Sequence, residues 1–302
     1  MERLRRGAQD RGGQRRVVMA TPAAVEPDAI RAVPVRHWGR WVSGAAVLAA
    51  LAWVVWSTVR SGFIDGAEVR RYQFGDLILL GLRATVVLAV VAQAAGIALG
   101  VVFAVSRLSK NKVASWASGA YIWFFRGTPV LVQLLFWYNG VPSVWKHLTI
   151  TVPFTDITLY SARMVDFMTP FMAAFLGLAL NEGAYMAEIV RAGILSVDDG
   201  QVEAAQALGM TPLLTLRRIV LPQAMRVIVP PTGNEFISML KTTSLASVVG
   251  FGELLRRSSD IYSRTLEPVP LLVVASLWYL ALTTVASVGQ HVLERRYGRH
   301  RR

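Results

Sequence analysis

The strongest constraint on this chain is the spacing of its apolar residues, which fall into blocks long enough to cross a bilayer. A helix needs about 20 residues for that crossing. Six such blocks are legible, at 41–59, 76–106, 114–138, 170–190, 223–250 and 268–290. Composition agrees: of the 302 residues 54% are hydrophobic and 17% charged, whereas soluble domains carry about 25% charged residues. The expected fold class is an all-α polytopic membrane protein with six transmembrane helices. The second block exceeds one crossing, so its helix tilts or extends past the membrane. Within it, Gly96 and Gly100 have the small-xxx-small spacing that lets another helix approach closely. Trp38, Trp41, Trp53 and Trp56 border the first block, as residues at the two bilayer interfaces do.

The polar segments set the orientation. With the N-terminus in the cytoplasm, the inner segments 1–40, 107–112, 191–222 and 291–302 hold 20 Lys and Arg, and the outer segments 60–76, 139–169 and 251–267 hold 8. The positive-inside rule therefore places both termini in the cytoplasm. This placement assigns the net charge of +13 to topology and to the lipid bilayer, not to nucleic acid. Residues 1–40 read as a disordered basic tail, and 291–302 as a second basic tail. The chain has no cysteine, which excludes disulfides and thiol chemistry. The four histidines, His37, His147, His291 and His300, form no ligand pair at helical spacing, so no metal site is expected.

The inner segment 191–222 is the most informative. Ser196 and Asp199 have capping-box spacing, Gln201–Leu208 is a run of good helix formers, and Gly209 stands where a helix stop is expected. Thr211-Pro212 then reads as the N-cap and first residue of another short helix, which Pro222 is expected to end. Two short helices joined by a glycine turn, exposed on the cytoplasmic side, make a knob shaped to dock in a partner's groove.

Glu203-Ala204-Ala205, with Gly209 following and then Ile219, Leu221 and Pro222, resembles the EAA loop of binding-protein-dependent ABC importer permeases. Further segments resemble the polar amino acid group of that family, the permeases for histidine, glutamine, arginine and opines. They are Phe125-Arg126-Gly127-Thr128-Pro129 with Val130–Gln133, Gly183–Arg191 with Gly193-Ile194, Leu221–Ala224 with Pro230-Pro231, and Lys241–Leu245. The resemblance covers about residues 74–297 and leaves the helix at 41–59 as an addition. It implies a five-helix type I importer core over 74–290 plus one N-terminal helix, in the bacterial cell membrane. It also implies a second permease subunit, an ABC ATPase dimer docked on the loop 191–222, and an extracytoplasmic substrate-binding protein. No G-x-x-x-x-G-K-[ST] phosphate loop is present, so ATP is expected on the partner subunit. The chain is not expected to be an enzyme or to carry a cofactor or a catalytic residue.

Charged groups inside spans are costly and commonly functional. Asn181 and Glu182 fall near the middle of the fourth block. Asn234 and Glu235 fall near the middle of the fifth, after Pro230-Pro231, where a kink and freed carbonyls are expected. Asn181, Tyr185 and Glu188 share one helical face, as do Asn234, Ser238, Lys241 and Leu245. A zwitterionic amino acid needs an acceptor for its ammonium, which Glu182 or Glu235 supplies, and a donor for its carboxylate, for which Lys241, Thr242, Thr243 and Ser244 are candidates. The competing reading pairs these groups with one another or with backbone. Arg126 and Glu188 are read as structural or gating residues. An ion-coupled secondary transporter would use the acids equally well but has no use for the loop 191–222.

Overall fold

The computed structural model describes residues 38–62, 65–152, 154–155 and 157–298. Residues 1–37 and 299–302, which hold most of the two basic tails, lie outside the described residues. The chain divides into two units, 1–55 and 56–302. The described part of the first is helical and belongs to α1 (Trp38–Arg60), whose tryptophans at 38, 41, 53 and 56 are all exposed.

The second unit holds the remaining elements. A short amphipathic helix α2 (Gly66–Gln73), capped by Asp65, leads into the long α3 (Asp76–Leu108). Then come α4 (Lys112–Gly127), α5 (Val130–Leu135), a π turn at Phe136–Gly140 and α6 (Val141–Val144). Strands β1 (His147–Thr151) and β2 (Thr158–Arg163) form an antiparallel hairpin pairing His147 with Arg163. Next are α7 (Met164–Phe167), α8 (Pro170–Leu195), α9 (Asp199–Ala207) and α10 (Pro212–Thr215). A π turn at Leu216–Val220 runs into α11 (Leu221–Thr242), followed by a 3-10 turn at Thr243–Val249, α12 (Leu254–Thr265) and α13 (Pro268–Gly298).

The all-α expectation holds apart from that hairpin. Its strands are rich in Thr, Leu, Ile and Tyr, which suit a pleated surface. Several boundaries move for identifiable reasons. The block at 114–138 is broken between α4 and α5, because Pro129 has no N–H and forces Thr128 out of the helical region. Gln133 closes the break, its Nε2 donating to the carbonyls of Phe125 and Thr128 at 3.0 and 3.1 Å. The block at 223–250 ends as α-helix at Thr242, and its 3-10 continuation stops at Gly250 with φ +81°. The helix runs on through Pro230 and Pro231. The prolines withdraw the N–H groups that would reach the carbonyls of Arg226 and Val227. Gln290 of α13 donates to the Pro230 carbonyl at 3.2 Å. Helix α13 continues to Gly298, past residue 290.

By length and apolar composition, the segments Trp38–Thr58, Asp76–Leu108 and Pro268–Arg296 suffice to cross a membrane. Helices α8 and α11 are long enough as well but carry polar residues inward. Between helices in lipid the hydrophobic effect gives no net attraction, so packing must come from close contact and hydrogen bonds. The α3–α8 pair illustrates this. A Cβ on Gly96 would lie 2.5 Å from Cγ of Glu182, and one on Gly100 would overlap Met186. The small-xxx-small spacing of α3 is thus the groove that receives α8. Around it, Leu88, Ala89 and Ala92 of α3 pack with Leu134, Ala174, Leu178 and Leu240 in one buried cluster.

A second anchor joins α3, α12 and α13. Glu253, 0% exposed, caps α12 by accepting from the N–H groups of Leu255 and Arg256 at 2.8 and 2.6 Å. It also accepts from the Tyr279 hydroxyl of α13 at 2.6 Å. The next N–H, of Leu254, donates to Thr85 of α3 at 3.1 Å.

These two anchors set the stability of the helical core. Gly100→Leu should lower the melting temperature of the purified protein strongly, because overpacking costs about 1–3 kcal/mol even where neighbours adjust. Gly289→Ala, where nothing lies within 4 Å of the added carbon, should leave it nearly unchanged. Glu253→Ala leaves three donors unpaired and should cost about 3 kcal/mol or more. Glu253→Gln, which keeps one acceptor oxygen, should cost less.

Candidate functional site

Two regions carry the chemistry. The first is the loop between α8 and α11. Asp198, not Ser196, caps α9, its carboxylate accepting from the Gly200 N–H at 2.8 Å. The capping-box expectation is corrected by two residues, because the chain leaves α8 only after Ser196 has turned back to the Gly193 carbonyl at 2.7 Å. Helix α9 ends in a paired closure: the Gly209 N–H reaches the Gln206 carbonyl and the Met210 N–H the Ala205 carbonyl, at 2.9 and 3.1 Å. This geometry requires a left-handed residue, and Gly209 has φ +77°. Thr211 then caps α10 and Pro212 is its first residue, as the sequence indicates.

Pro222 does not end the second short helix. The π turn widens the spiral, the Leu221 N–H reaching back to Leu216, and Pro222 sits in the first turn of α11, where a missing N–H is tolerated. Of the family-like positions, Glu203, Ala204, Gly209, Leu221 and Pro222 are exposed, Ile219 is half-buried and Ala205 is buried. Leu208 and Leu213, 84% and 74% exposed, flank the glycine turn. The two roots of the loop, Val197 and Val220, are buried with Ala104 of α3, Met186 and Val190 of α8, and Ala224 and Ile228 of α11. The knob is therefore anchored to the bundle at its base and open at its tip.

The second region is a cavity of about 350 Å³ between α5, α8 and α11, lined by Val130, Leu178, Asn181, Glu182, Tyr185, Glu235, Ser238, Met239 and Thr242. Glu182 is buried and accepts from Nε2 of Gln93 at 2.8 Å. Asn181 donates to the Phe125 carbonyl at 2.7 Å, which ties α8 to the end of α4. Glu235 makes no hydrogen bond or ion pair with any described residue. Arg126 lies with its guanidinium carbon 5.1 Å from the centre of the Tyr185 ring, a cation–π distance. Glu188 pairs with Arg191 at 2.7 Å.

The structure thus brings Asn181, Glu182, Tyr185, Glu235 and Thr242 to one cavity and leaves Asn234, Lys241 and Ser244 outside it. The cavity face of α11 is Glu235, Ser238, Met239 and Thr242. Asn234 is turned one residue away and accepts from Gln290 at 2.8 Å. Lys241 is exposed, and Ser244 donates back to the Lys241 carbonyl at 2.7 Å. Sequence reading passed over Gln93, Thr85, Glu253 and Tyr279. Gln93 was legible as an amide three residues before Gly96 in an otherwise apolar helix. Glu253 gave no signal, because it falls in a segment read as an outer loop.

Residues 96–299 match the model of the family described as binding-protein-dependent transport system inner membrane component. The arginine transport system permease of Corynebacterium glutamicum is 44% identical over 91% of this chain and 85% of its own length. That share is too large to leave out α1. The L-cystine transport system permease of Bacillus subtilis is 36% identical over 77% of this chain and 92% of its own. The glutamine transport system permease of Escherichia coli is 32% identical over 73% and 92%. A crystal structure of an amino acid ABC transporter with histidines superposes with a TM-score of 0.64 at 36% identity, covering 77% of this chain and 99% of that one. A methionine ABC transporter in an inward-facing conformation shares the fold, with a TM-score of 0.59 at 17% identity. With the loop and the bundle assembled as described, the chain is a multi-pass membrane protein of the binding-protein-dependent transport system inner membrane component family.

Proposed function

We propose that this chain is the permease subunit of an ATP-driven importer of polar amino acids, with six spans, both termini in the cytoplasm and the solute path through the Glu182–Glu235 cavity. The carrying observation is the knob at 191–222: two short helices hinged at Gly209, exposed at the tip and rooted beside Met186, one turn from Glu182. Such a knob transmits force from a docked partner to the cavity wall. Glu203 contacts the ATPase through charge and hydrogen bonds, Leu208 and Leu213 supply apolar contact, and Gly209 permits the turn. ATP hydrolysis lies on that separate subunit, a second permease subunit completes the path, and a substrate-binding protein delivers solute from outside. The relatives named above, permeases of arginine, L-cystine and glutamine transport systems, support the substrate class. An ion-coupled secondary transporter is not favoured, since it leaves the knob unused.

Reconstitution with the ATPase and binding protein tests the whole reading. Uptake that persists without ATP but needs an ion gradient would overturn it. Within that assay, Glu203→Lys reverses the charge on an exposed helix, and Gly209→Val puts a β-branched residue into a left-handed conformation at a cost of about 1–2 kcal/mol. Each should insert normally and lower ATP-driven uptake about tenfold or more, the equivalent of about 1.4 kcal/mol in coupling. Wild-type uptake by either variant removes that residue from the coupling contact.

The acids separate by a paired measurement of melting temperature and uptake. Glu182→Gln and Glu235→Gln keep size and some hydrogen bonding and remove charge. As path residues, both should lower uptake about tenfold at an unchanged melting temperature. Glu235 has no described partner to strand, so its neutralisation in particular should not destabilise. A fall in melting temperature that accounts for the lost uptake would make the acids structural, and normal values of both would exclude the residue from either role.

A further inference from the structure

One hydrogen bond joins residues that line two different cavities. The polar one is that of Glu182 and Glu235. The other, about 500 Å³, lies between α3, α8 and α11, and its wall is almost wholly apolar, with Ile97, Val190, Ile228 and Phe236 typical of it. Gln93 lines the apolar cavity and Glu182 the polar one, and their side chains meet at 2.8 Å.

The amide is an expensive choice for this position. Gln93 is 5% exposed, and its Oε1 is buried with no hydrogen-bond partner among the described residues. A methionine would fill the same volume without an unpaired acceptor. A lysine or arginine would satisfy Glu182 more strongly but would cancel its charge. The amide donor fixes the carboxyl group of Glu182 without supplying a counter-charge. Gly96, one turn further along α3, completes the seat, since any Cβ there would strike Glu182 at 2.5 and 2.7 Å. Charged groups facing this seat from the other elements are Glu235 on α11, which has no described partner, and Arg126 beyond Tyr185.

We propose that Gln93 is the positioning residue of Glu182 and the latch between the two cavities. Its Nε2 holds one carboxylate oxygen against α3 and directs the other towards the polar cavity. When a cationic amino group of the solute replaces Nε2 as donor, the amide is released and the way to the apolar cavity opens. No covalent step is involved. The inference rests on the reading of Glu182 as a path residue.

The test is equilibrium binding of labelled L-arginine to the full chain assembled with its ATPase and second permease, without the binding protein, alongside the melting temperature of the assembly. Gln93→Met should weaken binding about tenfold, the scale of one hydrogen bond to a charged group. The exchange Gln93→Glu with Glu182→Gln keeps a hydrogen-bonded pair but moves the acid onto α3. It should restore the melting temperature and not the binding. A residue that merely packs would give binding that follows stability in both variants. Wild-type binding by Gln93→Met, or by the exchanged pair, overturns the proposal. Should Gln93→Met not assemble, the exchanged pair decides alone. Glu182→Gln separates the two layers. If it binds arginine normally, the path reading fails and this inference with it. If it loses binding while Gln93→Met keeps it, only the role of Gln93 fails.

Discussion

The close approach of α3 and α8 is the contact on which the rest of the molecule depends. In lipid, two apolar helices gain nothing by hiding from their surroundings, so the pair must be held by dense contact. Gly96 and Gly100 make that contact possible by presenting bare backbone to Glu182 and Met186. The same two residues of α8 serve different ends. Glu182 reaches the polar cavity, and Met186 belongs to the apolar cluster that roots the loop at Val197 and Val220. Helix packing, the polar cavity and the roots of the exposed knob therefore share one stretch of α8 a single turn long.

That arrangement explains why a buried acid is tolerated. An isolated carboxylate in an apolar interior is costly unless it is hydrogen-bonded or paired. Gln93 provides a donor for Glu182 and no counter-charge, and Glu235 opposite has no described donor at all. A pair of acids built for stability would each carry a partner, as Glu188 does with Arg191 and as Asp166 does with Arg163 at 2.7 Å. In the latter pair the guanidinium hydrogen-bonded to Asp166 holds its carboxyl below the usual carboxylate range. The two cavity acids differ from these in having no cationic partner among the described residues.

Much of this was legible in the sequence, and what was not has physical causes. The long helices follow from apolar blocks, and the two-helix knob follows from Gly209, Thr211 and Pro212, because cap and stop residues act through their own backbone. Period arguments put Asn181, Tyr185 and Glu188 on one face of α8; Asn181 and Tyr185 line the cavity, whereas Glu188 pairs with Arg191. The same arguments misplaced the cavity face of α11, since Asn234 and Glu235 differ by about 100° of rotation and only the neighbouring α13, through Gln290, decides which of them faces the cavity. The break at Thr128-Pro129 was written in the proline but hidden by the apolar residues on both sides. The absorption of Pro222 into α11 depends on a π turn, which has no composition of its own. Glu253 was beyond reach: its partners, Thr85 through the adjoining Leu254 N–H and Tyr279 on α13, are distant in sequence, and glutamate is an unusual N-cap.

The position of the hinge gives the last step. Gly209 has open space around it, so its requirement is conformational and local, while Val197 and Val220 are fixed in the bundle. The exposed tip at Leu208 and Leu213 is joined to those roots by two short helices, and the roots pack on Met186 and Ile228. Packed cores do not deform gradually. Val197 and Val220 pack in one cluster with Met186 and Val190 of α8 and Ala104 of α3, so the roots of the loop bear on the glycine groove between α3 and α8. That groove ends at the Gln93–Glu182 hydrogen bond. A movement of α8 along α3 would stretch this bond, the side-chain hydrogen bond that joins the two helices among the described residues.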